Sequence, residues 1–506
     1  MVAMRRMGWG GARLACHAVV TTLLSLARVA AADTRPNVLL IAIDDLRPAL
    51  GCYGDPLAKT PHIDRLAAGG RRFEAAYCQQ AVCGPSRAAL LTGRLPDNTR
   101  VWHNRHRFRD LHPHLVTLPQ AFKNAGYDTR GLGKVFSGDA REDDPESWSV
   151  PAVLRAKGWR SYAGDPGKDG GKGVPTESAD VDDEGYPDGK LASLAIAMLE
   201  EPRERPWFLA VGFFKPHLPF NAPKRYWDLH DPAAFGDADP TPTAGAPPCA
   251  LPDHQELRGY AGMPGDERVP DATARRLRHG YYACVSYVDA QVGRLLGALE
   301  RLGLADKTIV VLWGDHGYSL GEADHWCKAT NFERDTRVPL VIRLPRMPQA
   351  GVPTAALVEY VDLYPTLLDL AGLEPAGTLD GHSLVPILTD PAVPGRAFAW
   401  SQFSRPWKPQ DPEVTGYSLR GATHRYTRWI ERGTGRILAE ELYDYGGLGG
   451  GLNVERTNVA TDPRQADQLA QYRAALDAEF VARIDPEIAA MARPGPRGRG
   501  AGGDHE

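Results

Sequence analysis

Cysteine is scarce, with seven in 506 residues at positions 16, 52, 78, 83, 249, 284 and 327. Their spacings fit no zinc template and no dense disulfide framework. Charge of one sign is lacking as well. The 59 basic and 63 acidic side chains leave a formal net charge of −4, so no global field draws nucleic acid or a membrane surface. Any anionic ligand has to be recognised by local groups. Hydrophobic residues make up 43% and charged residues 24% of the chain, close to ordinary globular usage. The 53 glycines and 42 prolines exceed the average but fall short of low-complexity sequence. Collagen, a polytopic membrane protein and disorder over most of the length are thereby excluded, and a loop-rich globular protein remains. The length suits one large core with an appendage, or two to three domains.

Near the start, Arg5, Arg6 and Arg13 precede a mostly apolar stretch over 14–29, and Ala30, Ala31 and Ala32 stand before a polar segment. Basic, apolar and small residues in that order make a secretory signal. His17, Thr21, Thr22 and Arg28 dilute the stretch below the ~20 clean apolar residues that a membrane span needs. The expectation is an exported protein, periplasmic or extracellular, with a signal peptide over 1–32 cleaved near Ala32.

Short, near-continuous apolar runs at 37–43, 207–213 and 308–313, with a further candidate at 338–344, read as strands buried on both faces. Helical patterns at 63–68, 85–91, 118–125, 191–199, 274–302 and 357–371 lie between them. The alternation predicts an α/β domain over 33–393 with a central, mostly parallel sheet flanked by helices. Two polar, Gly/Pro-rich excursions, 139–188 and 231–270, sit where substrate-shaping loops are found. From about residue 394 the texture changes: strands over 416–430 and 441–445 and a helix over 465–480 predict a smaller C-terminal α+β domain, 394–493, before a frayed tail at 494–506.

Polar clusters stand directly after three of the strands: Asp44-Asp45, Lys215-Pro-His217 and Gly314-Asp315-His316. Ligands of open parallel sheets bind outside the carboxyl ends of the strands, so unrelated segments would deliver these groups to one rim. Adjacent carboxylates repel, and a hard cation relieves that repulsion. With Asp315 and His316 the donor set suits Ca2+, and Mg2+ less comfortably. A second cluster is Cys83-Gly-Pro-Ser-Arg87, with Thr-Gly-Arg94 after it. Pro85 fits the first turn of a helix and Gly93 its end, so Cys83 falls at a helix N-terminus with Arg87 one turn on. Three readings stay open on these grounds: a buried structural cysteine, a thiolate nucleophile, and a residue that is chemically converted.

The Cys-x-Pro-Ser-Arg pattern with Thr-Gly-Arg resembles the maturation signature of type I sulfatases, in which the cysteine becomes Cα-formylglycine. The resemblance spans most of the chain and is nearest to the iduronate-2-sulfatase branch. It is carried by Asp44-Asp45-Leu-Arg-Pro, Gln79-Gln-Ala-Val-Cys83-Gly-Pro-Ser-Arg87, Gly133-Lys134-Val-Phe136, Lys215-Pro-His217-Leu-Pro-Phe220, Asp315-His316-Gly-Tyr-Ser-Leu-Gly-Glu322 and Trp326-Cys-Lys328.

This resemblance implies an alkaline-phosphatase-like fold and a Ca2+ site built from Asp44, Asp45, Asp315 and His316, with the matured Cys83 adjacent. It further implies that the hydrated aldehyde attacks sulfur with help from the cation and Asp315, and that its second hydroxyl then expels sulfate. Arg87 and Lys134 would hold the hydrate, Lys328 would neutralise sulfate oxygens, and His217 would bind the bridging oxygen and protonate the leaving alcohol. In one departure, Ser137 stands where the family often carries histidine, and it inherits no role.

Arg105 and Arg107, in a basic stretch laced with aromatics over 102–109, are candidates to bind an acidic sugar chain. The expected activity is removal of O-sulfate from a saccharide, first the 2-O-sulfate of iduronate in a glycosaminoglycan. The alternative on the same scaffold is a phosphodiesterase or phosphonate hydrolase. The expected partners are a sulfated saccharide and a formylglycine-generating maturation enzyme, with neither nucleic acid nor a stable membrane partner.

Overall fold

In β1 (Asn37–Ile43) every residue is buried, and its alternate side chains enter two different cores. Leu39, Ile41 and Ile43 pack with Val285, Val292 and Leu295 on one side of the sheet, and Val38, Leu40 and Ala42 with Leu90, Leu363 and Leu367 on the other. The period of two, apolar on both faces, is what a strand between two helical layers requires. The computed structural model describes residues 34–137, 144–153, 159–165, 172–447 and 455–491. The expected signal peptide and the 494–506 tail lie outside the described residues.

The remaining strands of the main sheet are β2 (Arg71–Tyr77), β3 (Asp128–Gly133), β4 (Trp207–Phe213), β5 (Thr308–Gly314), β6 (Arg337–Arg343) and β7 (Thr354–Glu359). Their order across the sheet is β7-β2-β6-β5-β1-β4-β3. Only β6 runs antiparallel to its neighbours; β1 pairs in parallel with β4 and β5, β3 with β4, and β7 with β2. Helices α1 (Pro61–Ala68), α2 (Cys83–Thr92), α3 (Leu118–Asn124), α4 (Pro187–Glu200), α5 (Asp271–Arg301) and α6 (Leu363–Leu370) cover the two faces. The helix expected over 357–371 begins late. Its first residues belong to β7, where Val358 pairs with Ala76, so the open edge of β2 overrides the helical preference of Leu357 and Glu359.

A second sheet, β8 (Ala399–Arg405), β9 (Val414–Arg420), β10 (His424–Glu431) and β11 (Ile437–Asp444), is antiparallel throughout and carries helix α7 (Ala466–Arg483). Its core of Trp400, Tyr417, Leu419, Tyr426, Tyr472 and Phe480 also takes in Ala89 of α2. Helix α2 is therefore gripped from both sides, because Ala88, Leu90 and Leu91 belong to the core of the main sheet.

One buried ion-pair group ties the two sheets. The Glu333 carboxylate accepts from Tyr77 Oη at 2.9 Å, Arg420 Nε at 3.2 Å and Arg425 Nη2 at 3.0 Å. Burial alone would push the Glu333 carboxyl up. The guanidiniums of Arg420 and Arg425 outweigh burial and hold it at about 2. Glu333→Gln should cost about 3 kcal/mol, since it strands buried guanidiniums, and should lower the midpoint of urea unfolding. A depressed carboxyl stabilises the fold fully above its unfolded value, and that contribution fades as pH falls toward the folded value. The gap between wild type and variant should accordingly narrow from about pH 4.5 toward about pH 2. A gap that widens on acidification would contradict this assignment.

Candidate active site

The strand ends of the main sheet converge as the sequence anticipates. Asp44 follows β1, Lys134 follows β3, His217 lies just beyond β4, and Asp315 and His316 follow β5. Asp45 brings two neighbouring carboxylates to one point by taking the left-handed conformation, φ 60°, a strained choice for a non-glycine residue. The Asp45 N–H donates to Asp315 Oδ1 at 2.9 Å, which also accepts from the His316 N–H at 3.0 Å. Before Lys134 the chain turns at Gly133, φ 66°, where a Cβ would sit 2.2 Å from the Gly212 carbonyl oxygen. Only glycine fits there.

Cys83 opens α2 with its thiol in the middle of this cluster. Its Sγ lies 3.2 Å from His316 Nε2, 3.4 Å from Asp44 Oδ1 and 3.4 Å from Lys134 Nζ. His316 Nδ1 faces the Gly317 carbonyl at 2.9 Å, so that nitrogen carries the proton and Nε2 points into the cluster. Single donor atoms of Asp44, Cys83, Asp315 and His316 all lie within 4.8 Å of one another, as do those of Asp44, Asp45, Cys83 and His217. Burial, then the Asp44 carboxylate, pushes the Cys83 thiol well above the usual thiol range. Burial and the Asp44 carboxylate thus work against a thiolate at position 83.

Three cations balance three carboxylates. Lys134 Nζ donates to Asp44 Oδ2 at 2.6 Å, and Lys328 Nζ donates to both oxygens of Asp45, at 2.8 and 2.9 Å. Arg87, fully buried, donates to Asp315 Oδ2 at 2.9 Å, to Asp44 Oδ1 at 3.2 Å and to the carbonyls of Lys134 and Val135. Its guanidinium is spent on holding the carboxylates in place. Lys328 is presented between Cys327 and Ala329, both at positive φ, 72° and 92°, a strained backbone of the kind kept at functional sites.

Above Cys83 opens a cavity of about 360 Å3, lined by Lys134, Ser137, His217, Lys328 and Arg105. Arg107 is not among its walls; it faces a small neighbouring cavity with Phe136. His217 Nδ1 lies 2.6 Å from the Leu218 carbonyl, which leaves Nε2 toward Asp45 and Glu256. Burial lowers the His217 value, and the two carboxylates act against that. Further walls come from Asn104 of the 102–109 stretch and from Trp159, Lys172, His254, Glu256 and Trp407, the last five not singled out by the sequence. Four of the six lie in the two Gly/Pro-rich excursions; that location was their one signal.

Residues 36–373 match the Sulfatase family. The chain belongs to the sulfatase family. It is 36% identical over 475 residues to iduronate 2-sulfatase of Homo sapiens, with 80% of this chain and 86% of that protein covered. Among solved structures, this sulfatase is similar to the phosphonate monoester hydrolase SpPMH from Silicibacter pomeroyi, with a TM-score of 0.75, 26% identity, and 89% of this chain and 96% of that chain covered. The structure of BT4656 in complex with its substrate D-glucosamine-2-N,6-O-disulfate superposes with a TM-score of 0.72 at 23% identity, covering 90% and 99% of the two chains, a likeness of fold.

Proposed function

We propose that this sulfatase removes O-sulfate from a sulfated saccharide, with the 2-O-sulfate of iduronate as the first candidate. The observation that carries the reading is the convergence of Cys83, Lys134, His217 and Lys328 on one cavity floored by a carboxylate cluster. The identity to an iduronate 2-sulfatase over most of the chain supports the choice of sugar.

The donor set fits a hard divalent cation: three buried carboxylates, one imidazole with its free nitrogen turned inward, and the position of Cys83. Asp44, Asp45, Asp315 and His316 would hold Ca2+. When bound, the ion supplies Lewis-acid polarisation of a sulfate oxygen and of the nucleophile. Since Arg87, Lys134 and Lys328 balance the three carboxylates, a divalent ion leaves the site cationic, as an anionic ester requires.

Cys83, matured to formylglycine by a dedicated enzyme and hydrated by water, would supply a pair of hydroxyls on one carbon, one to attack sulfur and one whose collapse to the aldehyde would release sulfate. Arg87 keeps Asp44 and Asp315 oriented, and Asp315 is placed to take the proton of the attacking hydroxyl. Lys134 holds the hydroxyls beside Asp44. Lys328 neutralises sulfate oxygens. His217, with Nδ1 fixed on the Leu218 carbonyl, offers Nε2 to the bridging oxygen and, once doubly protonated, gives its proton to the leaving alcohol. Arg105, at the cavity wall, is a second anion contact; Arg107 would serve a longer chain.

The likeness to a phosphonate monoester hydrolase keeps a phosphodiesterase or phosphonate hydrolase as the second reading. Turnover of an iduronate 2-O-sulfate disaccharide, an aryl sulfate and an aryl phosphate diester should separate the two. The sulfates are expected to be hydrolysed faster, and a strong preference for the phosphate diester would overturn the first reading. Export with cleavage near Ala32 belongs to the same proposal, and N-terminal sequencing of protein recovered outside the cytoplasm tests it.

A further inference from the structure

One carboxylate of the cavity wall, Glu256, stands outside the metal cluster. Glu256 opens the short helix Glu256–Gly259 within the second excursion and lines the cavity with a side chain 16% exposed. Lys328 Nζ stands 3.4 Å from Oε2, His217 Nε2 3.5 Å from Oε2 and Lys172 Nζ 3.7 Å from Oε1. Lys328 spends its short bonds on Asp45. Among the described residues, no hydrogen bond to the Glu256 carboxylate is shorter than 3.4 Å. Burial would push the Glu256 carboxyl up, but His217, Lys328 and Lys172 outweigh it and hold it well below the usual carboxylate range.

The group is therefore an ionised acceptor on the cavity wall whose neighbours stand only at 3.4–3.7 Å, which leaves it acceptor capacity for a shorter bond. A ligand hydroxyl completes it with a short charge-assisted bond, whereas a carboxylate or second sulfate at the same place would meet like charge. The position is also fixed relative to the reacting group. Lys328 and His217, the two side chains assigned to the sulfate and its bridging oxygen, are the ones that Glu256 touches. An acceptor there reaches the substituent on the ring carbon beside the sulfated one.

We propose that Glu256 accepts a hydrogen bond from the free hydroxyl next to the sulfate ester, so that the enzyme selects a sulfated sugar carbon flanked by a hydroxyl. The inference rests on the saccharide-sulfatase reading, and the test keeps the two apart. Two disaccharides are compared, an iduronate 2-O-sulfate and its counterpart deoxygenated at the neighbouring carbon 3. Deoxygenation also makes the leaving alcohol slightly less acidic, a difference that wild type and variants meet alike, so the change in preference on substitution is what reports Glu256.

Wild type should favour the hydroxyl-bearing disaccharide in kcat/KM by roughly ten- to a hundredfold. Glu256→Ala should collapse that preference to within about threefold, and Glu256→Gln, which keeps the shape and a neutral acceptor, should give an intermediate value. A wild-type enzyme that hydrolyses both equally overturns the assignment whatever the variants do. So does a Glu256→Ala enzyme that slows both by one factor with the preference intact, since Glu256 would then act only by positioning Lys328 and His217. Release of sulfate from neither disaccharide by wild type would instead overturn the proposed substrate, and the assignment with it.

Discussion

Replacing Cys83 by alanine is expected to lower sulfate release by at least about a thousandfold, the scale on which removal of a nucleophile acts, while the fold survives. The thiol is 2% exposed and touches its neighbours only at 3.2–3.4 Å. Alanine deletes one sulfur atom and no strong hydrogen bond. Helix α2 keeps its first turn, because the Ser86 N–H still donates to the Val82 carbonyl at 3.1 Å. The pairs of Lys134 with Asp44 and of Arg87 with Asp315 do not involve the thiol. The stability cost is then about 1 kcal/mol, a shift of a few degrees at most in the thermal midpoint. Sulfate release and the thermal midpoint of the same preparation decide the matter together. Turnover near wild type would remove the nucleophile from the mechanism, and loss of the folded state would show that the variant tests packing instead. The mass of the peptide containing position 83, from active material, should show the aldehyde in place of the thiol. An unaltered sulfhydryl in fully active enzyme would overturn the maturation.

Much of this site can be read in one dimension because its parts are local. Strands β1, β4 and β5 are buried on both faces and write themselves as unbroken apolar runs. The groups that matter stand in the next two to four residues, so finding the strand finds the site. Strand β2 is hidden in the sequence because it carries Arg71, Arg72 and Glu74 in a strand paired on both sides, second from the sheet edge. The two Nη atoms of Arg71 donate to the carbonyls of Gln349, Val352, Pro348 and Leu388, partners more than 270 residues away that no local pattern announces. Strand β3 reads Asp-Thr-Arg-Gly-Leu-Gly and borrows its order from β4. The cavity walls follow the same logic. Glu256 and Trp407 matter only because the second excursion and the loop after β8 are folded over Lys328 and His103. Arg107 shows the converse: a basic residue two positions from a cavity-lining arginine faces a different cavity.

Exhaustive chelation is expected to abolish turnover, with Ca2+ restoring it more fully than Zn2+. The reason lies in the donors. Asp44, Asp45 and Asp315 offer hard oxygens, and the open nitrogen of His316 stands 3.3 Å from Asp45 Oδ1 and 3.6 Å from Asp315 Oδ1, in a cluster with Asp44. Zinc prefers four ligands rich in nitrogen and sulfur, whereas an oxygen-dominated set with room for substrate oxygens suits Ca2+. Without the ion, the carboxylates are neutralised by Lys134, Lys328 and Arg87, so the chelated protein should stay folded and fail only in chemistry. Refilling then raises the thermal midpoint by linkage, about 2.7 kcal/mol at a hundred times the dissociation constant. Asp315→Asn should lose this midpoint shift along with activity, because it removes a ligand and the carboxylate that Arg87 orients. Calorimetric titration of the chelated enzyme measures the dissociation constant that sets this shift. If Zn2+ restored activity better than Ca2+, or if the chelated enzyme kept its rate, the carboxylate cluster would have to be read as an ion-pair network around Arg87 and not as a metal site.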